Sequence, residues 1–484
     1  MSYTAGRLAT LVRQTLGSPL PVRLRAWDGS EAGPDGPPTL VVRDRRALHR
    51  LLWKPGELGL ARAWVAGEID VEGDLYEALD RLGTLVRAGG DGDGPAPPAG
   101  RVPATLRDPR IRQLAREALA LAGPALPPAP PREEAGRRRG ARHSPRRDRA
   151  AISHHYDVGN DFYALVLGPS MVYSCAYWAG PDGAGPSGGG AAAADGTVRG
   201  TTLEDAQRAK LDLICRKLAL RPGARLLDVG CGWGAMVAHA AEHYGVRAVG
   251  VTLSAEQAAF ARERIAAAGL GDRVEIRVRD YREVTDGPYD AISSIGMAEH
   301  VGAARYREYA AALYGLLRPG GRLLNHQIAR RPWAEEARYR VDRFIDRYVF
   351  PDGELAPLGS TVALLEEAGF EVRDVQALRE HYALTLRAWV ANLEANWAAA
   401  VRLTSPGRAR VWRLYMAASA LAFERNRLGV NQVLAVRATA EGVSGMPLVR
   451  GPWAERVEVE RPADEPAAER PAGRPAARPG TTPG

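Results

Sequence analysis

Apolar residues change their spacing along the chain, and the changes divide it. Leu8, Leu11, Val12 and Leu16 recur at the three- and four-residue intervals of a helix face, and Asp74 can cap a helix carrying Leu75, Leu79 and Leu82. These predict a small N-terminal domain over residues 1–123, with a Gly/Pro loop at 89–103. From Ala150 to Arg450, short β-like runs alternate with helical ones. Arg225–Val229 leads into a glycine cluster and a helix near Ala235–Tyr244. Val246–Thr252 is followed by a helix over Ala255–Ala268, and Val274, Ile276 and Val278 alternate as a third strand. Tyr289–Ser294 and Arg322–His326 supply a fourth and fifth; Phe370–Val375 and Gln432–Arg437 are late strands, with helices from Ala383 to Arg425 between them. This alternation predicts an α/β fold with a doubly wound, mostly parallel, Rossmann-like sheet.

Of 484 residues 45% are apolar, enough for a sizeable core. Gly (53) and Pro (35) cluster, which reads as a solvated Pro/Arg linker at 124–149 and as disorder in a Gly/Ala insert at 179–200 and a tail at 451–484. The net charge is +8, and the stretch from Arg132 to Arg149 alone has eight Arg against Glu133, Glu134 and Asp148. That run lacks interleaved aromatics, which disfavours a nucleic-acid partner. Three cysteines without metal spacing argue for a reducing compartment. Arg7 and Arg13 break any signal-peptide core, and the uncharged run Phe162–Pro181 is interrupted by Gly168-Pro169, so a cytoplasmic protein is expected.

The chemistry begins at Asp228-Val229-Gly230-Cys231-Gly232-Trp233-Gly234-Ala235, where glycines let a backbone approach a ligand at the carboxyl ends of the strands. Gly230, Gly232 and Ala235 also satisfy a relaxed dinucleotide pattern. Three features together favour S-adenosylmethionine over NAD. Asp228 precedes a G-x-G-x-G loop, the second strand ends at Thr252 without a ribose-binding acid, and the third ends at Asp280, placed to accept from an adenine amino group. Each alone has an ordinary structural explanation.

The block 152–437 resembles cyclopropane-fatty-acyl-phospholipid synthases and the related mycolic acid cyclopropane synthases. The matching stretches are His155–Asp161, Tyr173–Trp178, Leu203–Lys210, the glycine loop, Gly250–Gln257, Asp280–Arg282, Gly296–Gly302, Tyr348–Pro351 and His381-Tyr382. The resemblance implies a class I S-adenosylmethionine-dependent methyltransferase fold. It implies a cofactor site lined by Tyr173, Ser174, Gly230, Gly232, Thr252, Leu253, Gln257, Asp280 and Tyr281, to which Asp228, Gly234 and Ser254 are added from the same motifs. It also implies a bicarbonate ion held by Cys175, Glu299, His326, Ile328 and Tyr382, with Cys175 and Ile328 contributing backbone groups. No metal is expected, because Glu299, His300 and His326 lack ligand spacing.

The implied reaction adds a methylene across a cis double bond. Methyl transfer leaves a carbocation, for which Tyr156, Tyr173, Tyr177, Phe344, Tyr348 and Phe350 are candidate cation-π partners; bicarbonate then removes a proton so that the ring closes. Gly59–Asp70 resembles the accessory domain of the phospholipid enzymes, so the expected partners are unsaturated phospholipid acyl chains at a membrane surface, reached by reversible peripheral association helped by the basic linker. A homodimer is compatible with this reading. Alternatives are methylation without ring closure, giving methyl- or methylene-branched chains, and a catalytically idle lipid-binding protein. The 179–200 insert and Leu355-Ala356-Pro357 depart from the family pattern.

Overall fold

The computed structural model describes residues 3–88, 109–124, 126–136, 147, 158–178, 200–333, 335–336, 339 and 341–450. The 89–103 loop, the basic run at 137–146, the insert at 179–199, the tail at 451–484 and Tyr156 lie outside the described residues.

The N-terminal elements are α1 (Thr4–Leu16), β1 (Arg23–Arg25), β2 (Glu31–Ala32), β3 (Thr39–Val42), α2 (Arg46–Trp53), α3 (Glu57–Val65), β4 (Ile69–Glu72), α4 (Leu75–Ala88) and α5 (Pro109–Ala122). The strands form a sheet in the order β2-β1-β3-β4. Asp74 caps α4 as predicted, its Oδ1 accepting from the N–H groups of Tyr76 (2.7 Å) and Glu77 (3.3 Å). The sheet was not foreseen.

The larger part runs α6 (Asn160–Leu167), α7 (Leu203–Lys217), β5 (Arg225–Val229), α8 (Ala235–Tyr244), β6 (Arg247–Thr252), α9 (Ala255–Ala267), β7 (Val274–Val278), β8 (Tyr289–Ile295), α10 (Ala298–Val301), α11 (Tyr306–Leu316), β9 (Leu317–Arg330), β10 (Ala356–Pro357), α12 (Leu358–Glu367), β11 (Glu371–Ala377), α13 (Arg379–Ala395), α14 (Trp397–Leu403), α15 (Pro406–Glu424) and β12 (Leu428–Val436). The strand order is β11-β12-β9-β8-β5-β6-β7, parallel from β7 to β9, with β12 antiparallel between β9 and β11. Leu226, Leu227 and Val229 on β5 are buried on both faces, as a central parallel strand requires. One face packs on Val237, Ala240 and Ile265, the other on Tyr309, Leu313 and Leu365.

β9 is longer than the predicted Arg322–His326: it continues through Pro319-Gly320-Gly321 and reaches Arg330. Its side chains alternate. On one face Asn325 and Gln327 join Tyr306, Tyr309, Ser294 and Thr361 in a buried network, with Tyr309 OH to Ser294 Oγ at 2.6 Å and Gln327 Nε2 to Thr361 Oγ1 at 2.7 Å. His326 and Ile328 occupy the opposite face. Ala356-Pro357, the departure noted in the sequence, pairs with Ala329-Arg330 as β10.

In the described part of the 124–149 stretch Leu126, Pro127, Ala129, Pro130 and Arg132 are exposed, as expected of a linker, whereas Glu133, Glu134 and Arg147 are docked. Glu134 accepts from Arg62 (2.7 and 2.8 Å) and from Tyr348 OH (3.0 Å), Glu133 accepts from Ser405 Oγ (2.8 Å), and Arg147 pairs with Asp352 (2.7 Å). Acids inside the Arg-rich run thus found buried partners far along the chain. Of the N-terminal elements, α3, β4 and α4 share one hydrophobic cluster with α13 and α15. Arg410 fastens them, bonding Trp64 O (2.6 Å), Ile69 O (2.5 Å) and Asp70 (3.1 Å). Both sheets belong to one unit, Met1–Met446; of a second, Pro447–Gly484, only 447–450 are described.

Candidate active site

A cleft opens at the carboxyl ends of β5, β6, β7 and β8. It is lined by Tyr173, Ser174, Lys210, Asp228, Gly230, Gly232, Thr252, Leu253, Gln257, Asp280, Tyr281 and Met297, among others. Ten of the twelve residues expected in the cofactor site therefore meet there. Gly230 has φ +78°, which a side chain rarely adopts, and a Cβ on it would press on Met297 at 3.3 Å. Gly234 and Ser254 do not line the cleft. Gly234 lets α8 approach α9, where its Cβ would stand 2.9 Å from that of Ala261, and Ser254 caps α9 by accepting from Gln257 N (3.2 Å).

Buried polar groups in this cleft partner one another. Lys210 donates to Ser174 Oγ (2.8 Å), Ser293 Oγ donates to Asp228 (2.6 Å), and Thr252 Oγ1 pairs with Gln257 Oε1 (3.0 Å). Burial lowers the Lys210 ammonium to about 8, opposed by Asp228, and raises Asp228 to about 6. Both oxygens of Asp280 accept from Arg282, at 2.8 and 2.6 Å, a partnership absent from the sequence reading. Lys210 was missed as a site residue. It stands in the Leu203–Lys210 motif, and the signal was a lysine on the apolar face of α7.

Across Tyr173 lies a second set. Cys175 and Tyr382 meet at Leu378, whose carbonyl accepts from Cys175 Sγ (3.6 Å) and Tyr382 N (3.1 Å). Leu378 N donates to Val430 O (2.8 Å), Val430 pairs with Ile328 across β12 and β9, and Ile328 N donates to Glu299 Oε1 (2.8 Å). His326 sits two residues before Ile328, paired with Gln432. These bonds, two of them made by the Cys175 thiol and the Glu299 carboxyl, tie the five positions together through β9, β12 and the start of α13, while the Tyr382 ring packs on Phe423 (4.8 Å) and Trp389 (6.0 Å). One expectation changes: the Ile328 N–H is committed to orienting Glu299. Burial raises the Cys175 thiol, so it is no thiolate.

Glu299 is pushed up to about 7 by burial, against the Ile328 bond, and its Oε2 has no partner among the described residues. His326 is pushed down to about 3, by burial first and then by Lys210 and Lys217; its Nε2 is likewise buried, with no partner among the described residues. Tyr173 packs among Trp389 (5.3 Å between centroids), Tyr163 (5.7 Å), Trp412 (5.9 Å) and Phe350 (6.5 Å). Of the proposed ring partners, Tyr173 and Phe350 belong to this box. Tyr177 instead stacks on His381, and Tyr348 bonds Glu134. Trp389, Trp412 and Tyr415 were missed; on a helix their spacing reads equally as core.

This sheet order, with an antiparallel strand inserted beside β9 and a glycine loop under the cleft, is the fold of class I S-adenosylmethionine-dependent methyltransferases. The structure aligns with mycolic acid cyclopropane synthase CmaA1, solved with SAH and CTAB, at TM-score 0.53 and 34% identity, covering 59% of this chain and 97% of that one. Residues 143–433 match the family model for mycolic acid cyclopropane synthetase, and the chain belongs to that family. A probable fatty acid methyltransferase of Mycobacterium tuberculosis is 42% identical over 90% of this chain and 94% of its own length. The cyclopropane-fatty-acyl-phospholipid synthase of Escherichia coli K12 is 37% identical over 60% of this chain and 68% of its own. The protein is thus an S-adenosylmethionine-dependent methyltransferase of the lipid-modifying cyclopropane synthase family. Among the described residues no helix is long and apolar enough to cross a membrane.

Proposed function

We propose that the protein closes a cyclopropane ring across the cis double bond of an acyl chain in a membrane phospholipid, with a bicarbonate ion bound beside Glu299. The observation carrying this reading is that two members of the expected ligand set, Glu299 and His326, each have a buried polar atom, Oε2 and Nε2, without a partner among the described residues. Leaving such groups unmet costs about 1–3 kcal/mol each, so a small polar ligand that accepts from one and donates to the other fits them.

S-adenosylmethionine supplies an electrophilic methyl, and bicarbonate supplies a weak base for the proton that leaves it. Glu299, with a value near 7, holds or releases a proton at neutral pH. His326 stays neutral and donates. The Tyr173 and Trp389 rings offer π faces to the positive charge left on the acyl chain, about 0.5–2 kcal/mol each, and the apolar box excludes water that would quench it. Thr252 and Gln257 would take ribose hydroxyls at the end of β6. Residues 1–123 would dock reversibly on the cytoplasmic membrane face, helped by the basic run.

The test incubates the protein with methyl-labelled cofactor and vesicles of unsaturated phospholipid. Shielded ring protons in the lipid NMR spectrum are the expected product. Labelled lipid without them overturns ring closure, and no label transfer overturns the enzyme reading in favour of an idle lipid binder. One observation favours a second product: relatives spanning most of this chain are named fatty acid methyltransferases, including a tuberculostearic acid methyltransferase 32% identical over 88% of it. A hydride shift before proton loss would leave a methylene branch, visible as vinylidene protons in the same spectrum.

A further inference from the structure

We infer that Gln432 is a positioning residue for His326: its side-chain amide donates to Nδ1 and so keeps the imidazole proton on Nε2. This rests on the reading of His326 as a donor to a bound anion. The two residues face each other across antiparallel strands, Gln432 on β12 and His326 on β9. Gln432 Nε2 and His326 Nδ1 are 3.4 Å apart, and both side chains are buried. A neutral imidazole has one donor and one acceptor nitrogen, and the partner of one decides the role of the other.

The contact itself serves either tautomer, and the proposed anion sets the direction. Glu299 already offers a carboxylate oxygen to the ligand, so an Nε2 without its proton would add a second acceptor facing an anion. With Nδ1 accepting, Nε2 carries hydrogen and the pair presents one acceptor and one donor. Burial first, and then the charges of Lys210 and Lys217 on one face of α7, keep the ring neutral; Lys217, wholly buried, lies 3.5 Å from Asp374 on β11. A second proton on His326 would meet both ammoniums in a dry interior. Gln432 thereby gains a task that its place in a late strand did not announce.

The experiment records long-range ¹H–¹⁵N correlations of histidine-labelled full-length protein, without substrate or bicarbonate, with His326→Gln as the assignment control. Expected is Nε2 protonated and Nδ1 bare from pH 6 to 8. A proton on Nδ1, or an imidazolium at pH 6, overturns the inference. Gln432→Met should mix the tautomers and lower kcat about tenfold, leaving KM for the cofactor within about twofold. Gln432→Glu should accept from Nδ1–H, reverse the tautomer and cost about a hundredfold or more. Because Gln432→Glu is isosteric, it gives the spectral answer if the methionine variant does not fold. Unchanged tautomer and rate in either variant contradict the assignment. A rate indifferent to bicarbonate, alongside an Nε2–H ring in the wild type, would fell the anion reading while the tautomer assignment stands.

Discussion

On the cofactor side of Tyr173, buried polar groups answer one another: Lys210 with Ser174, Asp228 with Ser293, Thr252 with Gln257, Asp280 with Arg282. On the β9–β12 side, Glu299 Oε2, His326 Nε2 and Gln432 Oε1 have no partner among the described residues, although each belongs to a buried or half-buried residue. The first side is set before a ligand arrives, so binding there need not reorganise the protein. The second stores desolvation cost that a polar ligand relieves. Unmet groups also occur elsewhere among the described residues, at Gln207 Oε1 and His239 Nε2; what sets the second side apart is that Glu299 and His326 both belong to the ligand set that the family resemblance implies.

The comparison is tested hardest at Glu299. Glu299→Gln keeps an oxygen for the Ile328 N–H but removes the ionisable group, and turnover should fall between about a hundredfold and ten-thousandfold while cofactor affinity, by calorimetry, changes little. The same variant has a stability signature. The folded value of about 7 lies above the ordinary 4.5, so between those pH values the folded protein holds a proton that the unfolded chain releases. Wild-type stability from this group is therefore full below about 4.5 and lost as pH rises through 7. Thermal unfolding should show Glu299→Gln gaining on the wild type across that window, by on the order of 3 kcal/mol at its upper end. A parallel pair of pH curves would place Glu299 outside the buried, ligand-poised state.

The cofactor side is probed by Lys210→Met. Removing one member of a buried, mutually satisfied set should destabilise the fold by about 3 kcal/mol and weaken cofactor binding about tenfold, since Ser174 loses its donor and Asp228 its nearby cation. Bicarbonate dependence should persist. A smaller effect is expected from Arg410→Met, which releases the N-terminal elements from α15 at a cost of about 2 kcal/mol in denaturant unfolding. Cofactor affinity should stay unchanged, because Arg410 touches neither side.

Much of the sheet was legible because each strand carries its own signal. Arg225–Val229 carries Leu226, Leu227 and Val229 just before glycines, and Val274–Val278 alternates. The cofactor cleft was legible for the same reason, since its residues sit at strand ends within short motifs. What escaped was long-range. The N-terminal strands are two to four residues long, too short for a period to show. Glu134 looked like a solvated acid because its partners, Arg62 and Tyr348, are far away in sequence. Gln432 was read as the start of a strand, whereas it lies mid-strand opposite a residue 106 positions earlier. Asn325 and Gln327, polar in a central strand, became intelligible only with Tyr306 and Tyr309 packed over them.

The central claim is that the unpartnered groups on β9 and α10 are built for a bicarbonate ion. Its most direct measurement is the rate of label transfer from S-adenosylmethionine to unsaturated phospholipid in carbonate-depleted buffer, followed by addition of bicarbonate. The account predicts a rate that collapses on depletion and returns in a saturable way, with no such response in Glu299→Gln. Undiminished transfer in the depleted wild type would contradict it.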